Sequence, residues 1–273
     1  MSKDLAQSEA IRVEGLGKRF YDQGRGEVRA VDGIDFVCRR GEIFGLLGAN
    51  GAGKTTTLRM LSTVLQPSAG EAWVDGLSVT EQPALVRRRL GFYSASTALY
   101  PRLSARETLE FFARINRYPG DVGARVESVI ERFGIGPFAE ARIENLSSGM
   151  KQKVSIARTV VHDPPVVIFD EPTVGLDVLN ALALIDAIRD LRSDGKTVLF
   201  SSHIMSEAEK LCDHLAIMHG GRILVQDSLP GLRQATGEHY LEDIFVHYVA
   251  DADSATREAL EARDARELAE AAD

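Results

Sequence analysis

GANGAGKT, residues 48–55, decides how this chain is read. It fits the pattern G-x-x-x-x-G-K-[ST], whose glycines let backbone N–H groups close around phosphate oxygens. The preceding run, Ile43 to Leu47, is apolar throughout and reads as a buried strand. Downstream, Leu58, Leu61 and Leu65 are spaced to share one helical face. Strand, glycine loop and helix start are the context such a match requires, and the helix start adds positive field for an anion. Gly48, Ala49, Asn50, Gly51, Ala52, Gly53, Lys54, Thr55 and Thr56 are therefore the expected phosphate cradle. Lys54 would reach the β- and γ-phosphates of a nucleotide, and Thr55 would set its hydroxyl on Mg²⁺.

Three further stretches carry chemistry. In VVIFDEP, Val166 to Pro172, a buried strand ends abruptly in two carboxylates. Two acids beside a core strand are costly unless a cation or a reaction uses them. Asp170 suits the water shell of Mg²⁺, and Glu171 suits polarising the attacking water. Pro172 is expected to bias Glu171 towards an extended backbone. In KTVLFSSH, His203 follows a strand, at the end where ligands bind in parallel sheets, and could donate to a γ-phosphate. In LSSGMKQKVSIAR, Leu146 to Arg158, a Ser-Ser-Gly turn opens a helix. Read alone it is a capped helix start, another place where N–H groups could meet an anion.

Composition narrows the classes. The net charge of −8 over 273 residues argues against a nucleic-acid binder that relies on a basic face. Cys38 and Cys212 are the only cysteines, so there is no metal spacing and no disulfide scaffold, which suits a reducing compartment. MSKDLAQSEA lacks the apolar core of a signal peptide, and no run approaches the roughly 18 apolar residues of a membrane helix. The expectation is a soluble chain whose membrane role, if any, comes through a partner.

Along the chain, residues 1–10 read as a flexible N-terminus. Short apolar strands and turns fill Ile11 to about Val79. The pattern from about Arg106 to Arg158 is helical, with Leu109, Phe112 and Ala113 on one face and Val126, Val129 and Phe133 on another. Strands at Val166–Phe169 and Val198–Phe200 then alternate with helices at Leu182–Leu191 and Met205–Cys212. That alternation predicts an α/β fold, a mostly parallel sheet flanked by helices, with an antiparallel β subdomain and an inserted helical subdomain at about 95–160. The nucleotide-binding domain is expected over 11–225, with a C-terminal extension at 226–249 in which Leu241, Ile244, Phe245 and Tyr248 form one helical face. Residues 250–273 carry eight acids against three arginines and read as an acidic, Ala-rich tail, solvated as a helix or disordered. No internal repeat is evident.

The motifs in this order resemble the ATPase subunit of ABC transporters, over about residues 11–249. GANGAGKT matches the Walker A motif, VVIFDE the Walker B motif with its catalytic glutamate, and VGLD, Val174 to Asp177, the D-loop. LSSGM stands where the family has LSGGQ, and His203 matches the switch histidine. The resemblance puts Phe20, in GKRFYD, where an aromatic stacks on adenine; without it Phe20 would be an ordinary core aromatic. It implies a P-loop NTPase binding ATP and Mg²⁺, with Lys54, Glu171 and His203 catalytic and Thr55 and Asp170 on the metal. It also implies two such domains meeting head to tail, as homodimer or heterodimer, so that Ser147, Gly149 and Asp177 serve the nucleotide across the interface. A multi-span permease subunit would convert closure into transport, with this chain peripheral on the cytoplasmic face of the membrane.

Three positions depart from the family pattern. LSSGM has Ser148 for a glycine and Met150 for a glutamine, and GFYSASTALY has Ala95 where many relatives place a Mg²⁺-contacting glutamine. With GFYSASTALYPRLSARE, SSGMKQKVSIAR and SSHIMSEAEKLCD, the chain looks like the ATPase subunits of sodium-efflux exporters of the Nat type. A drug or other small-molecule exporter ATPase, or a slow-turnover nucleotide-dependent regulatory module, are the alternatives. A chromosome-maintenance ATPase fits less well, because no long heptad segment interrupts the nucleotide motifs.

Overall fold

The structure, a computed structural model, describes residues 8–22, 24, 26–94 and 97–253. The N-terminal tail, Ala95 with its neighbour Ser96, and the acidic tail from residue 254 onward lie outside the described residues.

Two sheets organise the chain. The first is antiparallel, in the order β2-β1-β4-β5, from β1 (Glu9–Asp22), β2 (Gly26–Arg39), β4 (Ala69–Val74) and β5 (Leu77–Ser78). The second has the order β10-β9-β3-β8-β7-β6. Its members are β3 (Ile43–Leu47), β6 (Leu90–Ser94), β7 (Val166–Asp170), β8 (Thr197–Ser202), β9 (His214–His219) and β10 (Arg222–Ser228). All of its pairings are parallel except β9 with β10.

The buried strands of this second sheet send alternate side chains to opposite faces, as the two-residue strand period dictates. Val166, Ile168 and Leu199 enter the layer shared with the antiparallel sheet, together with Phe44 and Leu46. Val167, Phe169, Val198 and Phe200 enter the opposite layer. That second layer is closed by α5 (Ser148–Val160) and α6 (Val178–Ser193), through Ile156, Val160, Leu184 and Ile188. The first layer is closed by α1 (Lys54–Leu61) and α2 (Pro83–Arg89), through Leu58, Leu61 and Val86.

A third core belongs to helices and the turns between them. It joins α3 (Ala105–Ile115), α4 (Val122–Arg132) and one face of α5 through Leu109, Ala113, Val126, Val129 and Val154. Ser104 caps α3 in a full capping box with Glu107, and Asp121 caps α4. A fourth cluster packs α7 (Met205–Leu211), α8 (Leu229–Thr236) and α9 (Leu241–Ala252) over β9, with Leu241 and Ile244 fully buried.

Several expected elements differ in detail. The strands between Ile11 and Val79 are not all short: β1 and β2 run for 14 residues each, because they pair with each other along their length. Leu65 is not helical. Helix α1 stops at Leu61, and Thr63 takes φ 61, turning the chain back; Leu65 still packs on the same cluster from the loop. Phe133 caps α4 rather than lying in it. The stretch between Arg106 and Arg158 is broken by a turn at residues 116–121 and by 3₁₀ turns at Gly136–Phe138 and Ile143–Asn145. The helix expected at Leu182–Leu191 begins four residues earlier, because Asp177 accepts from the Asn180 N–H and caps it. Strands β6, β9 and β10 were not anticipated. The first has the mixed composition LGFYS, and the last two form a hairpin whose outer strand is half exposed.

Candidate nucleotide site

Strands β3, β8 and β7 are neighbours in that order, and their carboxyl ends lie level. Leu46 pairs with Ser201, Leu47 with Ser202, and Ser201 with Asp170. Three loops therefore leave the sheet together: residues 48–53 from β3, Glu171 from β7 and His203 from β8. Ligands bind in this crevice of parallel sheets.

The glycine loop is held tightly from behind. A Cβ on Gly48 would stand 2.3 Å from the Met218 carbonyl oxygen. Gly53 caps α1 at φ 109, and a Cβ there would meet the Ala30 carbonyl oxygen at 2.5 Å. Only glycine fits both positions. Within the loop the Ala52 N–H donates to the Ala49 carbonyl at 3.1 Å, Asn50 and Gly51 are exposed, and Thr56 is half-buried at the helix start.

Lys54 is buried yet well partnered. Its Nζ donates to the carbonyls of Gly48 (2.6 Å) and Ala49 (3.1 Å) and pairs with Glu171 Oε1 at 3.1 Å. The other Glu171 oxygen lies 3.2 Å from His203 Nδ1. One carboxylate thus bridges the glycine loop's Lys54 and His203. The expected extended backbone at Glu171 is overturned: φ is 46, in the left-handed region. Proline disfavours the right-handed helical region for its predecessor but leaves the left-handed one open, and three anchors hold Glu171 there. They are Lys54, His203, and Ser201, whose Oγ accepts the Glu171 N–H at 3.1 Å.

Ser201 also donates to Asp170 Oδ1 at 3.0 Å, and Thr55 donates to the same oxygen at 3.0 Å. Burial raises the Asp170 pKa, the two hydroxyl bonds oppose that rise, and the neighbouring Glu171 charge adds to it. Ser201 is fully buried and escaped the sequence reading. Its only signal is position, a hydroxyl near the carboxyl end of a fully buried strand.

Thr55 and Asp170 offer hard oxygen donors side by side, which fits Mg²⁺. No group of three His, Cys, Asp or Glu residues among the described residues could hold a metal unaided, so a Mg²⁺ here would draw its remaining ligands from waters and nucleotide phosphates.

The remaining predicted residues lie elsewhere. Phe20 stands on β1, 41% exposed, with the Lys18 ammonium 5.4 Å from its ring centre; it is not a core aromatic. Lys18 pairs with Val31, whose side chain would lie 3.5 Å from a Cβ on Gly53, so Phe20 extends along the strand that passes the loop. Ser147 caps α5, accepting from the Met150 N–H at 3.3 Å. A Cβ on Gly149 would lie 3.6 Å from Asn180 of α6, the residue that Asp177 caps. Ser147, Gly149 and Asp177 thus gather at the starts of α5 and α6, apart from the Lys54–Glu171–His203 group. Around them Val178 and Leu179 are 74% and 79% exposed.

A family model described as ABC transporter matches residues 31–174, more than half of the chain. The chain belongs to the ABC transporter ATP-binding family. It is an ATP-binding, ATP-hydrolysing subunit with the P-loop NTPase fold. It is 40% identical, over 86% of its length and 96% of the relative's, to the ABC transporter ATP-binding protein NatA of Bacillus subtilis (strain 168). It is 34% identical to the daunorubicin/doxorubicin resistance ATP-binding protein DrrA of Streptomyces peucetius, covering 86% of this chain and 70% of that one. Among solved structures it is similar to an ATP-binding subunit of an ABC transporter, with TM-score 0.79, 28% identity, and 88% and 99% of the two chains covered. It also resembles a dimeric bacterial ABC transporter cassette, with TM-score 0.73, 25% identity, and 80% and 98% covered.

Proposed function

We propose that this chain is the motor of an exporter whose cargo passes through a separate multi-span membrane subunit. No helix among the described residues is long and apolar enough to cross a membrane; in this proposal the chain sits peripherally on the cytoplasmic face, bound to that subunit. The observation that carries the reading is the division of the site. The phosphate loop, Asp170, Glu171 and His203 form one group, while Ser147, Gly149 and Asp177 form another beside an exposed apolar patch of Val174, Val178, Leu179 and Leu182. Two copies, or this chain and a related one, meeting head to tail would bring one chain's first group against the other's second.

In this reading the loop N–H groups and Lys54 bind the β- and γ-phosphates, and Phe20 faces the adenine. Thr55 and Asp170 would hold Mg²⁺, which would supply charge neutralisation on the phosphate oxygens. Glu171 orients a water and accepts its proton as the water oxygen bonds to the γ-phosphorus. The bond to the β-phosphate oxygen breaks, and ADP and inorganic phosphate leave. His203 donates to a γ-phosphate oxygen, which is why its other contact, to Glu171, matters: one residue senses the phosphate and the other the water.

The motif resemblance to Nat-type sodium-efflux ATPases supports sodium as cargo, and the likeness to the daunorubicin/doxorubicin resistance protein DrrA supports a small-molecule cargo instead. Inverted vesicles holding this chain and its membrane-spanning subunit would discriminate. Sodium export predicts ATP-dependent uptake of ²²Na⁺ that Glu171→Gln abolishes. ATP hydrolysis without sodium movement, but with daunorubicin accumulation, would overturn sodium in favour of the drug class.

A further inference from the structure

Glu207 joins two loops that lie far apart in sequence. Thr173 Oγ1 donates to Glu207 Oε2 at 2.8 Å, across 34 positions. Ser202 Oγ stands 3.5 Å from the same oxygen. Thr173 and Ser202 are both buried. Thr173 lies two residues after Glu171, and Ser202 immediately precedes His203. Glu207 itself is in the first turn of α7. That helix is fixed from behind by Ala208 and Leu211 in the core and by a 2.5 Å pair between Glu209 and Arg233 of α8.

The arrangement matters because Glu171 is held at φ 46. A non-glycine residue stays there only where its surroundings over-determine it. Ser201 fixes Glu171 at its own N–H, and the Thr173–Glu207 bond fixes the chain two residues further on. A hydroxyl bonded to a carboxylate is roughly twice as strong as a neutral pair, which suits a clamp.

We infer that Glu207 is a positioning residue for ATP hydrolysis, setting the separation of Glu171 and His203 by tying the loop after Glu171, through Thr173, to the start of α7, the helix that follows His203 in the chain. Glu207 acts through those loops and not on the substrate. The inference rests on the roles given above to Glu171 and His203.

The test is steady-state ATPase kinetics of the full chain with its membrane partner, for Glu207→Ala, Thr173→Val, the double variant and Thr173→Ser, with Glu171→Gln as reference. Each single change is expected to lower kcat about tenfold, because small misplacement of reacting groups is costly, with KM for ATP within about twofold. The double variant should also lose about tenfold, since both changes remove the same bond. Thr173→Ser keeps the hydroxyl and should restore the rate. Wild-type kcat in the single variants, a loss of about a hundredfold in the double, or a rise in KM at unchanged kcat would overturn the inference. So would a Thr173→Ser variant as slow as Thr173→Val. If Glu207→Ala does not fold, the Thr173→Val and Thr173→Ser pair decides alone. Wild-type turnover by Glu171→Gln would instead refute the role of Glu171, a result separate from the Thr173–Glu207 cycle.

Discussion

Removing one buried hydroxyl, in Ser201→Ala, should cost this protein both stability and turnover while sparing nucleotide affinity. Ser201 Oγ makes two bonds at the heart of the site: it donates to Asp170 Oδ1 at 3.0 Å and accepts the Glu171 N–H at 3.1 Å. A hydrogen bond to a charged group contributes about 1.5–3 kcal/mol, and a buried N–H left unpaired costs about 1–3 kcal/mol. Partial relaxation and water entry reduce the sum, so about 2–4 kcal/mol of stability should be lost. At roughly 2–4 °C per kcal/mol for a chain of this size, the melting temperature should fall by roughly 5–15 °C. The kinetic effect follows from the backbone. Without the Ser201 anchor Glu171 can leave φ 46, and its carboxylate then moves relative to Lys54 and His203. Misplacement of that kind costs about 10–100-fold in rate. The loop N–H groups and Lys54 are untouched, so ATP affinity should stay within about threefold. Calorimetry, a phosphate-release assay and titration with a fluorescent ATP analogue measure the three quantities. A folded Ser201→Ala protein with wild-type kcat would refute the claim that this hydroxyl organises the Walker B end.

Other perturbations test separate parts of the site. Glu171→Gln keeps side-chain size but loses the proton acceptor; hydrolysis should fall about 100-fold or more with ATP still bound, and light scattering should detect an ATP-trapped dimer. Gly53→Ala forces a Cβ to within 2.5 Å of the Ala30 carbonyl at a backbone of φ 109, so it should cost about 1–3 kcal/mol and weaken ATP binding, checked by melting and by nucleotide titration. His162 is a pH probe far from the chemistry. Burial pushes its pKa down from 6.5 to about 4, with its Nε2 facing the Leu90 carbonyl at 3.3 Å. Its folded-state pKa lies below the unfolded value, so the unfolded chain takes up the proton first as pH falls. Stability through this group is intact above pH 6.5, declines between 6.5 and 4, and is then flat, by about 3 kcal/mol in all. Urea unfolding of the wild type and His162→Gln across that window should show the slope reduced in the variant.

The phosphate loop was readable from sequence because its chemistry is local. Eight consecutive residues carry the glycines, the lysine and the threonine, and the apolar run before them announces the strand that presents them. The Asp170–Glu171 pair was readable for the same reason, being two charges ending a buried strand. The helical core of Leu109, Ala113, Val126 and Val129 followed from period alone. What failed was whatever depends on a distant segment. Strand β6 is a strand because β7 supplies its hydrogen bonds, and LGFYS has no period of its own to reveal that. Glu171 adopts a left-handed backbone because Ser201, 30 positions on, accepts its N–H; a proline rule sees only the next residue. Ser201 and Glu207 were invisible as functional residues for the same reason: a serine and a glutamate are ordinary in sequence, and only the register of β8 against β7 and the placement of α7 put their oxygens on Asp170 and Thr173. Sequence determined which chemical groups are present and which local elements carry them. Tertiary structure decided which groups face one another, because hydrogen bonds and ion pairs act over about 3 Å of space, whatever the separation along the chain.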